Sequence, residues 1–157
     1  MKKLFLLFAL ALVSASGFAQ RETFEFGVKL NYGFDDPNVG VGLVGRYNID
    51  NHFRPELALN YYPESDDHSA WDVNANLHYI FHITNKFKLY PLGGLTITGH
   101  DFDNGLVDHS ETNVGVNLGG GLQYNITRNL HLNAETYYQF VDDYDRGIMN
   151  FSLSYVF

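Results

Sequence analysis

The sequence predicts an all-β fold: an eight-stranded antiparallel up-and-down transmembrane β-barrel. Three observations predict it. Eight segments of the chain alternate apolar and non-apolar residues with a period of two, which gives a strand one apolar face. On that face the aromatic residues cluster at the segment ends and the aliphatic ones lie between, the sorting by height that a bilayer-crossing surface requires. Aromatic residues make up 16% of the chain and charged residues only 18%, against roughly 25% charged in an ordinary soluble domain.

The length of 157 residues is enough for one domain, expected over 20–157, behind a leader over 1–19. Lys2 and Lys3 form a basic start, Leu4 to Val13 an apolar stretch and Ser14 to Ala19 a small-residue cleavage region, which together read as a secretory signal peptide. The apolar stretch is shorter than the roughly 17–25 residues a spanning helix needs. The chain has no Cys, so neither a disulfide framework nor a lipid-bearing Cys is expected. A net charge of −8 argues against nucleic acid as a partner.

The first strand, Thr23 to Tyr32, places Phe24, Phe26, Val28, Leu30 and Tyr32 on one face and nothing apolar on the other. Turn residues from Gly33 to Asn38 lead to a second strand, Val39 to Tyr47, which ends at Asn48-Ile-Asp-Asn51. The third runs from about His52 to Tyr62 and contains Pro55, for which a bulge or a rim position is expected because a closed sheet has no free edge. After an acidic loop, the fourth strand sets Trp71, Val73, Ala75, Leu77, Tyr79 and Phe81 against Asp72, Asn74, Asn76 and His78.

The fifth strand, Phe87 to Gly99, loses its alternation at Tyr90-Pro-Leu-Gly-Gly94, so a bulge is expected at Pro91. The longest loop is expected next, His100 to Thr112. The sixth strand carries Val114, Val116, Leu118, Leu122 and Tyr124 on its apolar face, and the seventh carries Leu130, Leu132, Ala134, Tyr138 and Phe140. A loop from Val141 to Arg146 delivers the closing strand, Gly147 to Phe157, with Met149, Phe151, Leu153, Tyr155 and Phe157 on one face. Segments of about ten residues match the roughly 9–11 that a tilted strand needs to cross a bilayer.

The non-apolar face is rich in Gly and Asn and holds scattered charges of both signs: Glu25, Lys29, Arg46, Arg54, Glu56, Asp72, Lys88 and Glu135. That composition suits a narrow lumen, in which buried charges must pair. The longer connections carry an acidic cluster that includes Asp66, Asp67, Asp101, Asp103, Asp142 and Asp143. None of it has calcium-loop spacing, so solvated loops with no metal site and no cofactor are expected.

A terminal Tyr155-Val156-Phe157, a signal peptide, eight alternating segments, and the stretches Leu89 to Leu95 and Gly119 to Tyr124 carry a resemblance. The chain resembles the OmpA/OmpX-type small outer-membrane β-barrel domain, the porin-family β-barrel of Gram-negative cells. The resemblance implies a cell outer membrane location, short periplasmic turns, longer outer loops, and Tyr155 and Phe157 as the signal read by the barrel-assembly machinery. It implies outer-membrane lipid and lipopolysaccharide as surroundings and a monomeric state. With eight strands the lumen is filled and no wide pore is expected.

A structural, envelope-integrity or surface-interaction role is therefore expected, without enzymatic activity. Two other readings compete with it. A narrow ion path would use Arg54, Glu56, His78, His131 and Glu135. An outer-leaflet lipid A-modifying enzyme would need Ser and His together at the outer rim. His68-Ser69 and His109-Ser110 are adjacent pairs whose side chains point apart in an extended chain.

Overall fold

The computed structural model describes residues 23–35, 38–63, 68–103, 108–142 and 145–157, with the backbone alone at 68, 100–103 and 108–111. The expected signal peptide lies outside these residues. Eight long strands run in chain order: β1 Thr23–Gly33, β2 Asn38–Asn48, β3 Phe53–Tyr62, β4 His68–Tyr79, β5 Phe87–Asp103, β6 Asp108–Asn125, β7 Leu130–Val141 and β8 Arg146–Val156. Each pairs antiparallel with its neighbour in sequence, and β8 pairs with β1 from Glu25↔Val156 to Gly33↔Ile148, which closes the ring. The backbone N–H of Phe157 also donates to the Phe24 carbonyl at 2.9 Å, tying the last residue to the start of β1.

Period two in the sequence becomes inside and outside in the ring. Along β1, Glu25, Gly27, Lys29 and Asn31 are buried while Phe26, Val28, Leu30 and Tyr32 are exposed on the outer wall. The same division runs through β3, β7 and β8. The result is inverted relative to a soluble protein. Lumen residues are mostly polar, and the outer wall is a continuous apolar surface that only a lipid phase solvates well.

Aromatic pairs frame that wall at both ends. Where the turns lie, Phe53 meets Tyr79 at 5.2 Å, Phe87 meets Tyr124 at 5.0 Å and Tyr155 meets Phe157 at 5.2 Å between ring centroids. Toward the loops, Tyr138 meets Phe140 at 4.9 Å and Tyr61 stands opposite Trp71 in the ladder. Phe26 stands opposite Tyr155 in the ladder and extends the band at the turn end, whereas Phe151, opposite Leu30 and Ala134, is the aromatic exception between the bands.

Neither proline produces a bulge. Pro55 pairs with Leu77 in an unbroken β3–β4 register, and the β2–β3 ladder ends one residue away at Arg46↔Glu56, so Pro55 occupies the rim. Pro91 pairs with Gly120 in a continuous β5–β6 register. On its other side the ladder with β4 stops at His78↔Leu92 and resumes in the same register at Phe81↔Leu89, within a two-residue continuation of β4, Phe81–His82. Pro91 has no N–H to offer there, and Ile80 instead donates its N–H to the His52 carbonyl at 2.6 Å. The lost alternation at Tyr90 to Gly94 has a different cause. Tyr90 and Leu92 are apolar side chains that face the lumen.

The stretch expected as the longest loop is mostly strand. β5 has 17 residues and β6 has 18, and their pairing runs out to Asp103↔Asp108. The β6–β7 ladder begins only at Gly115↔Val141, so Asp108 to Val114 pair with β5 alone, while β5 keeps β4 as its other neighbour out to His68↔Phe102.

Candidate functional site: the charged lumen

Inward positions of neighbouring strands stack the lumen's polar side chains in three tiers. The central tier takes Lys29 from β1, Arg46 from β2, Glu56 from β3 and Glu135 from β7. Lys29 Nζ lies 2.9 Å from Glu56 and 3.0 Å from Glu135. Arg46 reaches Glu56 at 2.7 Å and Glu135 at 3.1 Å. Each cation therefore meets both carboxylates in a closed ring of four pairs, and all four side chains are fully buried.

Further donors complete the carboxylates. Tyr90 donates its hydroxyl to Glu135 at 2.8 Å and Asn76 donates to Glu56 at 3.2 Å, while Arg46 also donates to Ser152 at 3.0 Å. Room for Tyr90 comes from Gly121, directly opposite it in the ladder. A Cβ on Gly121 would lie 2.6 Å from Tyr90 Cζ.

The tier toward the turns is built on Arg54 and Glu25. Arg54 donates to Gln123 Oε1 and, at 3.2 Å, to His78 Nδ1, and its guanidinium lies 4.7 Å over the Tyr90 ring, which stacks on His78 at 4.6 Å. Glu25 accepts from Asn48 at 3.0 Å and Ser154 at 3.1 Å, lies 3.3 Å from His131 Nδ1, and stands 3.8 Å from Arg54. Lys88 is half-buried at this end. Among the described residues no carboxylate comes within ion-pair distance of it.

The tier toward the loops centres on Asp72. It pairs with Arg146 at 2.7 Å and accepts from Asn60 at 2.7 Å and Asn74 at 2.5 Å. Arg146 also donates to Gln139 at 2.7 Å and lies 4.9 Å over the Tyr62 ring. Gln139 and Asn117 both donate to Asn74, at 2.9 Å and 2.8 Å, which links β4, β6, β7 and β8 across the lumen.

Glu25, Lys29, Arg46, Arg54, Glu56, Asp72 and Glu135 thus converge inside the ring, and Lys88 sits at its edge. Sequence reasoning put Arg146 in a loop. It is instead the first residue of β8, opposite Gln139, and the even-numbered parity it shares with Asn150 and Ser152 is the signal that marks it as inward. Tyr90 and Gln123 carry contacts equally central to the network, but nothing in their residue types distinguished them.

Of the acidic cluster, Asp142 is exposed at the loop end. Asp66, Asp67 and Asp143 lie outside the described residues, and Asp101 and Asp103 are described in backbone only. Tyr155 and Phe157 point outward, 50% and 72% exposed.

Glu56, His78 and Glu135 bring donor atoms within 4.8 Å of one another, a spacing compatible with a metal ion. The donor set argues otherwise. Both carboxylates already bind Lys29 and Arg46, and a third cation would have to displace one of them. What the arrangement does chemically is neutralise and fill the lumen.

Comparison with known proteins agrees with this architecture. The N-terminal β-barrel domain of Pseudomonas aeruginosa OprF is similar at 16% identity, covering 86% of this chain and 97% of that one, with a TM-score of 0.75. Neisserial surface protein A is similar at 18% identity over 87% and 97%, TM-score 0.69. Ail, the attachment invasion locus protein of Yersinia pestis, is similar at 21% identity over 88% and 100%, TM-score 0.66. No curated protein matches the chain by sequence. The model of the outer membrane protein beta-barrel domain matches residues 5–157. With the ring closed, its outer wall apolar and its sequence matched almost end to end, the chain belongs to the outer membrane protein beta-barrel domain family and resides in the outer membrane.

Proposed function

We propose that the protein is a passive barrel with a closed lumen, serving envelope integrity or contact at the cell surface, and that it neither conducts solutes nor modifies lipid. The observation that carries this reading is the lumen itself. Arg46, Arg54, Glu25, Glu56, Glu135 and Asp72 are all within a few per cent of complete burial, and each is paired: Arg46 with Glu56 and Glu135, Arg54 with Glu25, and Asp72 with Arg146. A path for solute would need those pairs to part, and charges so withdrawn from water separate at high cost.

The longer connections, on the side opposite the turns, face outward in this reading and supply the surface that meets partners. Lipid and lipopolysaccharide surround the apolar wall, the barrel-assembly machinery reads Tyr155 and Phe157, and the barrel works as a monomer. Relatives named for attachment or for the cell surface support a surface role.

Comparing cells with and without the gene tests the reading. Loss of the protein should raise sensitivity to detergents and large antibiotics, or lower adhesion, with lipid A unchanged by mass spectrometry. A shift of lipid A mass equal to one acyl chain, restored by the intact gene, would make the protein an enzyme.

A further inference from the structure

Two histidines that the lumen network does not use meet at the turn end. His52 lies in the turn between β2 and β3, and His82 closes the short continuation of β4. The β3–β4 ladder carries Phe53 opposite Tyr79, and Ile80 N–H binds the His52 carbonyl at 2.6 Å, so the two turns lie side by side. Both imidazoles are exposed. Their ring centroids are 6.1 Å apart with the planes at 81°.

That separation is short enough for two exposed imidazoles to turn onto one ion. With ring nitrogens about 2.0–2.1 Å from a metal, each centroid stands roughly 3.2 Å from it, so centroids lie about 5.2 Å apart at a tetrahedral angle and about 6.4 Å apart in line. Non-coplanar rings are no obstacle, because each nitrogen lone pair lies in its own ring plane. His52 is further held by stacking on Tyr79, 5.5 Å between centroids at 29°. Fixing a ligand before the ion arrives lowers the cost of binding.

The surrounding charges set the strength. Asp50 accepts the N–H of Phe53 at 2.8 Å and of His52 at 2.6 Å. These bonds hold a carboxylate beside His52, where its charge favours a bound cation. Lys88 stands directly opposite His82 in the ladder and opposes a cation there.

We propose that His52 and His82 form a site for a divalent transition metal ion of the kind imidazole prefers, zinc, copper or nickel, with water completing the coordination. The bound ion clips the β2–β3 turn to the end of β4.

The test is titration of the folded, detergent-solubilised barrel with zinc chloride by calorimetry, in a background where His68, His100 and His109, at the opposite end of the strands, are replaced by Gln. One ion per barrel is expected. His52→Gln and His82→Gln should each weaken it by about tenfold or more, and Lys88→Gln should tighten it. Heat-dependent gel mobility checks that each variant still forms the barrel. In parallel, the imidazole NMR resonances of His52 and His82 should shift together with zinc in the wild-type protein. Zinc binding that the two Gln variants leave unchanged, or that vanishes in the background lacking His68, His100 and His109, overturns the proposal.

Discussion

Glu56 touches Lys29 and Arg46 together, and that shared contact determines what its replacement does. Glu56→Gln leaves two buried cations facing one carboxylate, so the barrel should lose about 3–5 kcal/mol, read as a lower urea midpoint of unfolding from lipid vesicles. Adding Lys29→Met removes the surplus cation and should restore part of the loss. If the double variant falls further than the single one, the four-pair ring is not the stabilising unit.

Gly121 presents the opposite problem, since any side chain there enters the space of the Tyr90 ring. Gly121→Ala should cost about 1–3 kcal/mol in the same assay. The lumen charges were legible at this scale because each occupies the polar phase of an alternating segment. Arg146 was hidden by its acidic neighbours, which made it look like loop. Tyr90 was hidden because an apolar residue facing a polar lumen reads only as a broken pattern.

At the scale of elements, six of the seven connections between strands and their alternation followed from turn residues and period two, but the β5–β6 hairpin did not. Beyond the reach of β7 neither face of a strand needs to be apolar, so the periodic signal fades while the backbone ladder continues to Asp103↔Asp108. From composition alone such a stretch is indistinguishable from a loop. The pairing predicts a gradient of protection within β6. Amides of Asp108 to Val114, paired on one side only, should exchange with deuterium faster than those of Val116 to Tyr124, paired on both. Equal protection would mean the hairpin edge is covered by something else. The prolines show the same limit from another direction: a missing N–H was readable in the sequence, but a rim position at Pro55 and a two-pair gap at Pro91 absorb it without an inserted residue.

For the whole molecule, eight alternating segments of similar length leave few ways to bury one face without exposing edges, and closure of β8 onto β1 satisfies both demands. Which face is inside follows from the wall: an outer surface of Val28, Leu30, Leu43, Leu59, Leu118 and their neighbours, each around half exposed, is unstable in water and stable in lipid. The lumen then has to hold what lipid will not take, and it does so by pairing charge with charge across strands distant in sequence. The distances between those pairs are set by the register around the ring, which residue types alone do not determine.

The most direct test of a filled lumen is single-channel recording of the purified barrel in a planar lipid bilayer. The pairing of Lys29 and Arg46 with Glu56 and Glu135 predicts a silent membrane, with no resolved current steps from the wild-type protein. Steady, frequent steps from the intact barrel that disappear in its absence would contradict the account, because ions would then be crossing where the structure places a closed ring of buried pairs.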